Sequence, residues 1–545
     1  MKRALVAGVV IAASLVAACA KSARPPVEAP VGPHRPEPVA PEMIPVMMPM
    51  ATIAMPGTRD TLQYLVDSVL AAPMWRNARW GILLVDAERN DTILSHDADR
   101  LFMPASNQKL LTAAIALQHL GPDFRWRTPV LLDGTQRGSV FHGDLLVQGS
   151  GDPSISDALR GGRASSAFDA ILDTLQARGI KRITGRVLPW GDALPGATTG
   201  FGWAWDDFDA GYSAAIDELT YNEGELYLHI VAGSKIGSPV TVRRAPTERY
   251  PAVRIEAITR DTATSAVSAI APRPMPLSVV YDSIGHQVVV SGTMSQGDST
   301  RVTLAYRHPS DAFLAALGDA LRARKISVQG GVIARPAPHG PGRVASRSTK
   351  RAVAHAIDTL GVIESVSFAD VLRRMLKPSQ NQMAELIFRT SGYVASGDGS
   401  LDSARAVGTR TLAGWGITGQ DVAYRDGSGL SRHDYLTPRA VVRVLDAMHR
   451  SPWYAVFRDG LPIAGVDGTI ANRMKDTPAQ GNARAKTGTL DKARALSGYV
   501  TSSDGRLLFF SLLCNNFSVP TREVERVQDL LVRTMAGGTF PALPQ

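Results

Sequence analysis

Ser106-Asn107-Gln108-Lys109 opens the apolar run Leu110 to Leu120, which places a serine and a lysine three residues apart at the start of a predicted helix. Positions i and i+3 of a helix share one face, so the lysine amine meets the serine hydroxyl. Desolvated, such an amine gives up its proton and can activate the hydroxyl as a nucleophile. Of the eleven lysines in the chain, only Lys109 has a serine three positions before it. Pro104 suits the approach to a first helical turn, and Gly121-Pro122 is a stop. A plain helix cap at Ser106 and a solvated lysine at Lys109 are the duller readings. Two partners far downstream weigh against them: Ser379-Gln380-Asn381, and Lys486-Thr487-Gly488, which is the one K-T-G in the sequence.

Around these motifs the chain alternates in texture. Thr61 to Leu70 has helical spacing, and Trp80 to Asp86 with Thr92 to His96 reads as a hairpin. From 127 to 364 short alternating strands and turns dominate, as in Gly143 to Gly149, Thr241 to Arg244 and Gln287 to Gly292, with one helix-like stretch, Ser166 to Gly179. No motif falls in that β-rich block, which reads as one or two domains inserted into another. Helical sequence resumes at Phe368 to Leu376 and again at Gln382 to Ser391, with Lys377-Pro378 between them. Pro378 disfavours a helical Lys377 and so puts Ser379-Gln380-Asn381 in a turn. Lys486 to Thr489, Arg494 to Thr501 and Arg506 to Cys514 read as adjacent strands of one sheet, and Arg522 to Met535 as a closing helix.

The N-terminus reads as an export signal. Met1-Lys2-Arg3 is basic, Ala4 to Ala18 is apolar but too short to span a bilayer, and Cys19 follows small residues. Leu15-Val16-Ala17-Ala18-Cys19 is similar to a bacterial lipobox, which implies lipidation of Cys19; the alternative is ordinary cleavage near Ala18 or Ala20. Ten prolines between Arg24 and Gly57 forbid a regular helix and favour an extended tether. The expected layout is therefore a signal at 1–18, a lipid-anchored tether at 19–57, catalytic sequence at 58–126 and 365–545, and inserted β-rich sequence at 127–364. Cys19 and Cys514 are the two cysteines, and no disulfide is expected between them. The net charge of +9 has no dense basic cluster behind it, so nucleic acid is not an expected partner. The 11 histidines are scattered, no two closer than sixteen residues, and nothing points to a metal or another cofactor.

S-x-x-K, S-x-N and K-T-G in that order are the signature set of serine β-lactamases and penicillin-binding proteins. The chain resembles the low-molecular-mass class C penicillin-binding proteins, the D-alanyl-D-alanine carboxypeptidase/endopeptidase family. Further stretches carry the likeness: Pro104 to Leu111, Gly149 to Pro153, Asp426 to Arg432, Leu461 to Gly465 through Gly468-Thr469, and Arg484 to Leu490. The long block between the first two motifs separates this family from the β-lactamases. The resemblance implies an α+β fold, an antiparallel transpeptidase-like sheet flanked by helices and interrupted by the β-rich insertion.

It also implies roles. Ser106 attacks the penultimate carbonyl of a peptidoglycan stem peptide ending in D-Ala-D-Ala, with cross-link endopeptidase activity as a further expectation and β-lactams as covalent inhibitors. Lys109 is the base, its proton affinity lowered by burial and by a neighbouring cation, for which Lys486 is the candidate. Ser379 relays a proton, and Asn381 bonds Lys109 and a substrate amide. Lys486 and Thr487 hold the terminal carboxylate, Gly488 lets the backbone approach closely, and Ser106 and Thr489 supply oxyanion-hole N–H groups. Arg432 either binds a side-chain carboxylate of the substrate or pairs structurally, and Asp152 is a turn residue. Related sequences carry an amine-reading aspartate soon after a G-x-V strand; here Asp192 follows Gly185-Arg186-Val187 about two residues late. A β-lactamase-like hydrolase and a non-catalytic envelope-binding protein are the alternative functions.

Overall fold

The computed structural model describes residues 58–244, 249–261, 275–282, 286–332 and 357–540. The signal segment, Cys19 and the proline-rich tether lie outside them. No helix of the described residues is long and apolar enough to cross a membrane.

One five-stranded antiparallel sheet is assembled from both ends of the chain. Its order is Arg484–Leu490, Ala493–Thr501, Leu507–Asn515, Arg79–Asp86, Thr92–His96. The hairpin expected at Trp80 to His96 forms, and Arg79 to Asp86 also pairs with Leu508 to Asn515, with Trp80 opposite Cys514. Alternation along these strands feeds two cores, because successive side chains point to opposite faces. Ile82, Leu84, Leu496 and Phe510 pack on one face against helices Arg59–Ala71 and Thr521–Gly537. Leu83, Val85, Tyr499 and Phe509 pack on the other against helices Gln108–Leu120, Phe368–Leu376, Asn381–Ser396 and Pro438–His449. Leu110, Leu111, Ile115 and Leu117 are fully buried there, and truncating one such leucine to alanine costs about 2–5 kcal/mol.

The segment 127–364 builds sheets of its own. The largest runs Ser327–Val328, Arg182–Ile183, Val140–Gln148, Arg127–Arg137, Asp358–Glu364, with Val187–Trp190 also on Val140–Gln148. Its first and last strands are antiparallel neighbours with Arg127 opposite Glu364, so the chain leaves and returns at one place. The stretch Ser166 to Gly179 is a 3-10 turn, Ala164–Phe168, running into a helix, Asp169–Ala177. The segment also holds a longer helix, Pro309–Ala323, which the β texture masked; Phe313, Leu314, Leu317 and Leu321 bury its inner face.

The break before Ser379 has a different cause from the expected one. Lys377 keeps helical angles, φ −60 and ψ −58, and its N–H still donates to Arg373 O at 3.0 Å. Tertiary bonds hold it there against the proline's bias: Lys377 Nζ pairs with Asp467 at 2.7 Å, and Lys377 O accepts from Thr469 N at 3.1 Å. The chain turns at Ser379 instead, in the left-handed region with φ +69.

Candidate active site

Ser106 lies in the 3-10 turn Ala105–Asn107, which runs directly into the helix Gln108–Leu120. Ala105 before it has φ +48. A non-glycine residue there costs on the order of 1–3 kcal/mol and persists only where its surroundings over-determine it. Two glycines supply that constraint. A Cβ on Gly429 would meet Ala105 O at 1.9 Å, and one on Gly488 would meet Pro104 O at 2.4 Å, so two backbones press on the serine turn from either side. Asn107 Nδ2 donates to Lys486 O at 2.8 Å and ties the turn to the strand Arg484–Leu490.

Within this frame two Ser–Lys pairs meet. Lys109 Nζ lies 2.9 Å from Ser106 Oγ, and donates to Asn381 Oδ1 at 2.6 Å and to Ser428 O at 2.7 Å. Lys486 Nζ donates to Ser379 Oγ at 2.8 Å and to Thr487 O at 3.0 Å. Both lysines are fully buried. Thr487 Oγ1 donates to Thr469 Oγ1 at 2.7 Å, and Thr489 is exposed on the same strand.

The partners of Lys109 decide where its lone pair points. Ser428 O is an obligate acceptor. Asn381 presents Oδ1 because its Nδ2 donates to Tyr212 O at 2.7 Å. A neutral amine has two N–H bonds, and both are claimed by these oxygens. The remaining position faces Ser106 Oγ.

Burial lowers the Lys109 pKa to about 7, against the pull of Asp426, Glu385 and Asp434. The neighbouring cation expected at Lys486 does repel Lys109, and the three carboxyl groups oppose that effect. Lys486 is pushed well below an ordinary amine by burial and then by Lys109. Glu385 is itself raised to about 7, by burial and then by Asp426, while accepting from Gly427 N and Ser428 N. Asp434 is raised well above the usual carboxyl range, by burial and then by Asp426.

The remaining sequence candidates lie further out. Arg432 is exposed, with Nη1 donating to Asp491 O at 3.4 Å just past the Lys486 strand. Asp152 is buried in its turn and accepts from Ser154 N at 2.7 Å. Asp192 is exposed, and the chain just after it runs to the far end of helix Asn381–Ser396, where Arg389 donates to Pro195 O and Ala197 O. Two other acidic groups of this segment stand on neighbours of the second motif: Asp207 accepts from Tyr212 OH, and Glu223 accepts from Gln380 Nε2 through its backbone carbonyl. The sequence reading gave no role to Glu385, Asp426, Asp434, Trp203 or Tyr212, although Asp426 opens a stretch that carried the family likeness. The Asp-Gly-Ser-Gly run at Asp426 was the available signal for the loop, and nothing in the local pattern marked Trp203.

The model of the D-Ala-D-Ala carboxypeptidase 3 (S13) family matches residues 62–536. The chain belongs to this family. It is 30% identical over 481 residues to the D-alanyl-D-alanine carboxypeptidase of Actinomadura sp. (strain R39), covering 85% of this chain and 83% of the relative. It is 26% identical over 461 residues to D-alanyl-D-alanine carboxypeptidase DacB of Haemophilus influenzae, covering 83% of this chain and 88% of the relative. The crystal structure of penicillin binding protein 4 from Haemophilus influenzae superimposes with a TM-score of 0.70 at 24% identity, covering 86% of this chain and 98% of that one. The S13 chain therefore has the α+β fold of that penicillin-binding protein.

Proposed function

We propose that this S13 protein is a serine-type D-Ala-D-Ala carboxypeptidase that works through a Ser106 acyl-enzyme. The observation that carries the reading is the buried Lys109 amine, 2.9 Å from Ser106 Oγ with its other directions filled by acceptors. Ser106 Oγ attacks the penultimate carbonyl of the stem peptide as its proton passes to Lys109 Nζ. The backbone N–H groups of Ser106 and Thr489 hold the oxyanion, a contribution on the order of 10²–10³-fold per donor. Gly488 supports this arrangement, because its close approach to Pro104 O sets the strand beside the serine turn.

Ser379 hands its hydroxyl proton to the leaving D-Ala amine and regains one from Lys486 Nζ, 2.8 Å away, which the bound substrate carboxylate keeps protonated. Hydrolysis runs the relay backwards: water adds to the acyl carbon, its proton goes to Ser379 and Lys486, and Lys109 returns its proton to Ser106 Oγ. Lys486 and Thr487 face the terminal carboxylate, and Arg432 stands at the outer end of the same strand. Endopeptidase cleavage of cross-links uses the same acylation with a larger leaving amine. β-Lactams place a strained amide on the same serine.

The domain assignment supported by the sheets is a catalytic unit from 58–126 and 365–545, with 127–364 inserted. Export, with Cys19 lipidated and residues 19–57 as tether, rests on the leader pattern in the sequence.

The test is release of D-Ala from a stem pentapeptide by wild type beside Ser106→Ala. Activity in wild type alone is the expected result, and equal release from both sinks the mechanism. A labelled penicillin gives the second arm: a Ser106 adduct lasting many minutes supports the peptidase, whereas rapid turnover makes the protein a β-lactamase.

A further inference from the structure

Both oxygens that hold Lys109 Nζ besides Ser106 are themselves set from the intervening segment 127–364. Asn381 Oδ1 faces Lys109 because the other end of its amide donates to Tyr212 O at 2.7 Å. A flipped amide would set oxygen against oxygen at Tyr212 and hydrogens against an amine that donates, so the carbonyl selects the orientation. Ser428 O belongs to the loop 426–431, which is folded around the Asp426 carboxylate. Asp426 accepts from Gly429 N at 2.6 Å, from Ser431 N at 2.7 Å and from Trp203 Nε1 at 2.9 Å. Trp203 is buried with Leu194, Ile216, Leu386 and Leu430.

The same segment is fastened along the start of the Asn381 helix. Gln380 Nε2 donates to Glu223 O at 3.0 Å and Gln382 Nε2 to Ala215 O at 2.7 Å, on either side of the Asn381 bond. Three consecutive side-chain amides thus each end on a backbone carbonyl of residues 212–223. Arg374 adds a two-pronged pair with Glu223 at 2.8 Å. Burial alone would need none of these polar contacts to be directed; the Asn381 bond ends on a group that holds the base, and the Trp203 bond ends on the carboxylate around which the Ser428 loop folds.

We propose that the intervening segment is a working part of the acylation site, with Trp203 and the Tyr212 carbonyl as positioning groups that fix the two acceptors of Lys109 Nζ. The inference rests on the reading of Lys109 as the base that activates Ser106. It assigns to the segment a task inside the acylation step, beyond shaping the cleft.

The test separates acylation from binding. The rate constant for acylation by a fluorescent penicillin and the dissociation constant of the preceding non-covalent complex are measured from pH 5 to 9 for wild type, Trp203→Phe and Gln382→Leu. Trp203→Phe keeps a ring and removes the N–H. Acylation is expected to slow about 10- to 100-fold, the cost of a misplaced base, with the dissociation constant within about twofold. The acid limb is expected to move to lower pH, because an ammonium that loses a fixed acceptor is disfavoured relative to the neutral amine. The charged groups facing Lys109 are Glu385 on the Asn381 helix, Asp426 and Asp434 around the Ser428 loop, and Lys486 on its strand; both substitutions leave all of them in place. Gln382→Leu breaks a fastening that does not reach Lys109, and should lower Tm while acylation stays within about threefold.

Wild-type acylation in Trp203→Phe, a loss lying wholly in the dissociation constant, or equal slowing in Gln382→Leu overturns the inference. Should Trp203→Phe fail to fold, Asn381→Asp tests the other arm. It keeps an oxygen for Lys109 and removes the donor to Tyr212 O, so about tenfold slower acylation is expected and a wild-type rate refutes the role of the carbonyl. An unreactive wild-type protein would bring down the peptidase reading and this inference together, whereas a reactive wild type with unaffected variants brings down the inference alone.

Discussion

The two Ser–Lys pairs of the site have nearly the same length and opposite origins. Ser106 and Lys109 are three residues apart and meet because one helical turn brings them together at 2.9 Å. Ser379 and Lys486 are 107 residues apart and meet at 2.8 Å because a turn between helices packs on an edge strand. Their surroundings differ as much. Lys109 has two fixed acceptors and three carboxyl groups behind it, which orient the amine and oppose the effect of burial. Lys486 has no carboxyl group among the causes of its shift; burial and Lys109 both work against its charge. The first environment suits an amine that trades a proton with its serine. The second disfavours charge on its amine, and an incoming carboxylate would favour the protonated form.

That contrast can be broken experimentally, beginning with the largest effect. Ser106→Ala should form no penicillin adduct detectable by intact-mass spectrometry; a full-mass adduct would place the nucleophile elsewhere. Lys109→Met should cut the acylation rate constant about 10²–10⁴-fold, the range for a lost general base, with Tm lowered because Asn381 Oδ1 and Ser428 O lose their buried donor. Lys486→Met should act more weakly on acylation, by about 10- to 100-fold, and should raise KM for a peptide ending in a free carboxylate more than for one ending in an amide. Equal effects on the two peptides would remove the distinction between the lysines.

The pH profile sharpens the same comparison. The Lys109 pKa is lowered to about 7, so the neutral base is present above that pH and lost below it. Acylation at saturating penicillin should rise with pH through about 7 and then level off; a limb near the ordinary lysine value would contradict the buried base. Arg432→Ala should give the smallest change, a rise in KM of a few-fold at most, because the side chain is exposed. It is read by D-Ala release from stem peptides with and without a side-chain carboxylate, and a large loss for both would move Arg432 into the centre of the site.

Residues close in sequence were the most legible part of this protein. The i, i+3 spacing at Ser106 is a property of any helix, and the short continuous apolar runs Trp80 to Val85 and Leu507 to Cys514 read as strands buried on both faces. The Lys377-Pro378 break pointed to the right turn for an incomplete reason, since ion pairing and a backbone bond override the local bias at Lys377 and transfer the left-handed residue to Ser379. The helix Pro309–Ala323 was readable in its apolar spacing and was hidden by the strands around it.

Chain chemistry thus stated which side chains can act and roughly how the elements run, because helical and strand periods, proline and glycine work over a few residues. Folding settled the rest. Which end of the Asn381 amide meets Lys109, which carbonyl completes its shell, which carboxyl groups stand behind it and how far its proton affinity falls all depend on Tyr212, Trp203, Asp426 and Glu385, which lie far from Lys109 in the sequence. Those quantities come from distance and desolvation, and both are properties of the packed interior rather than of neighbours along the chain.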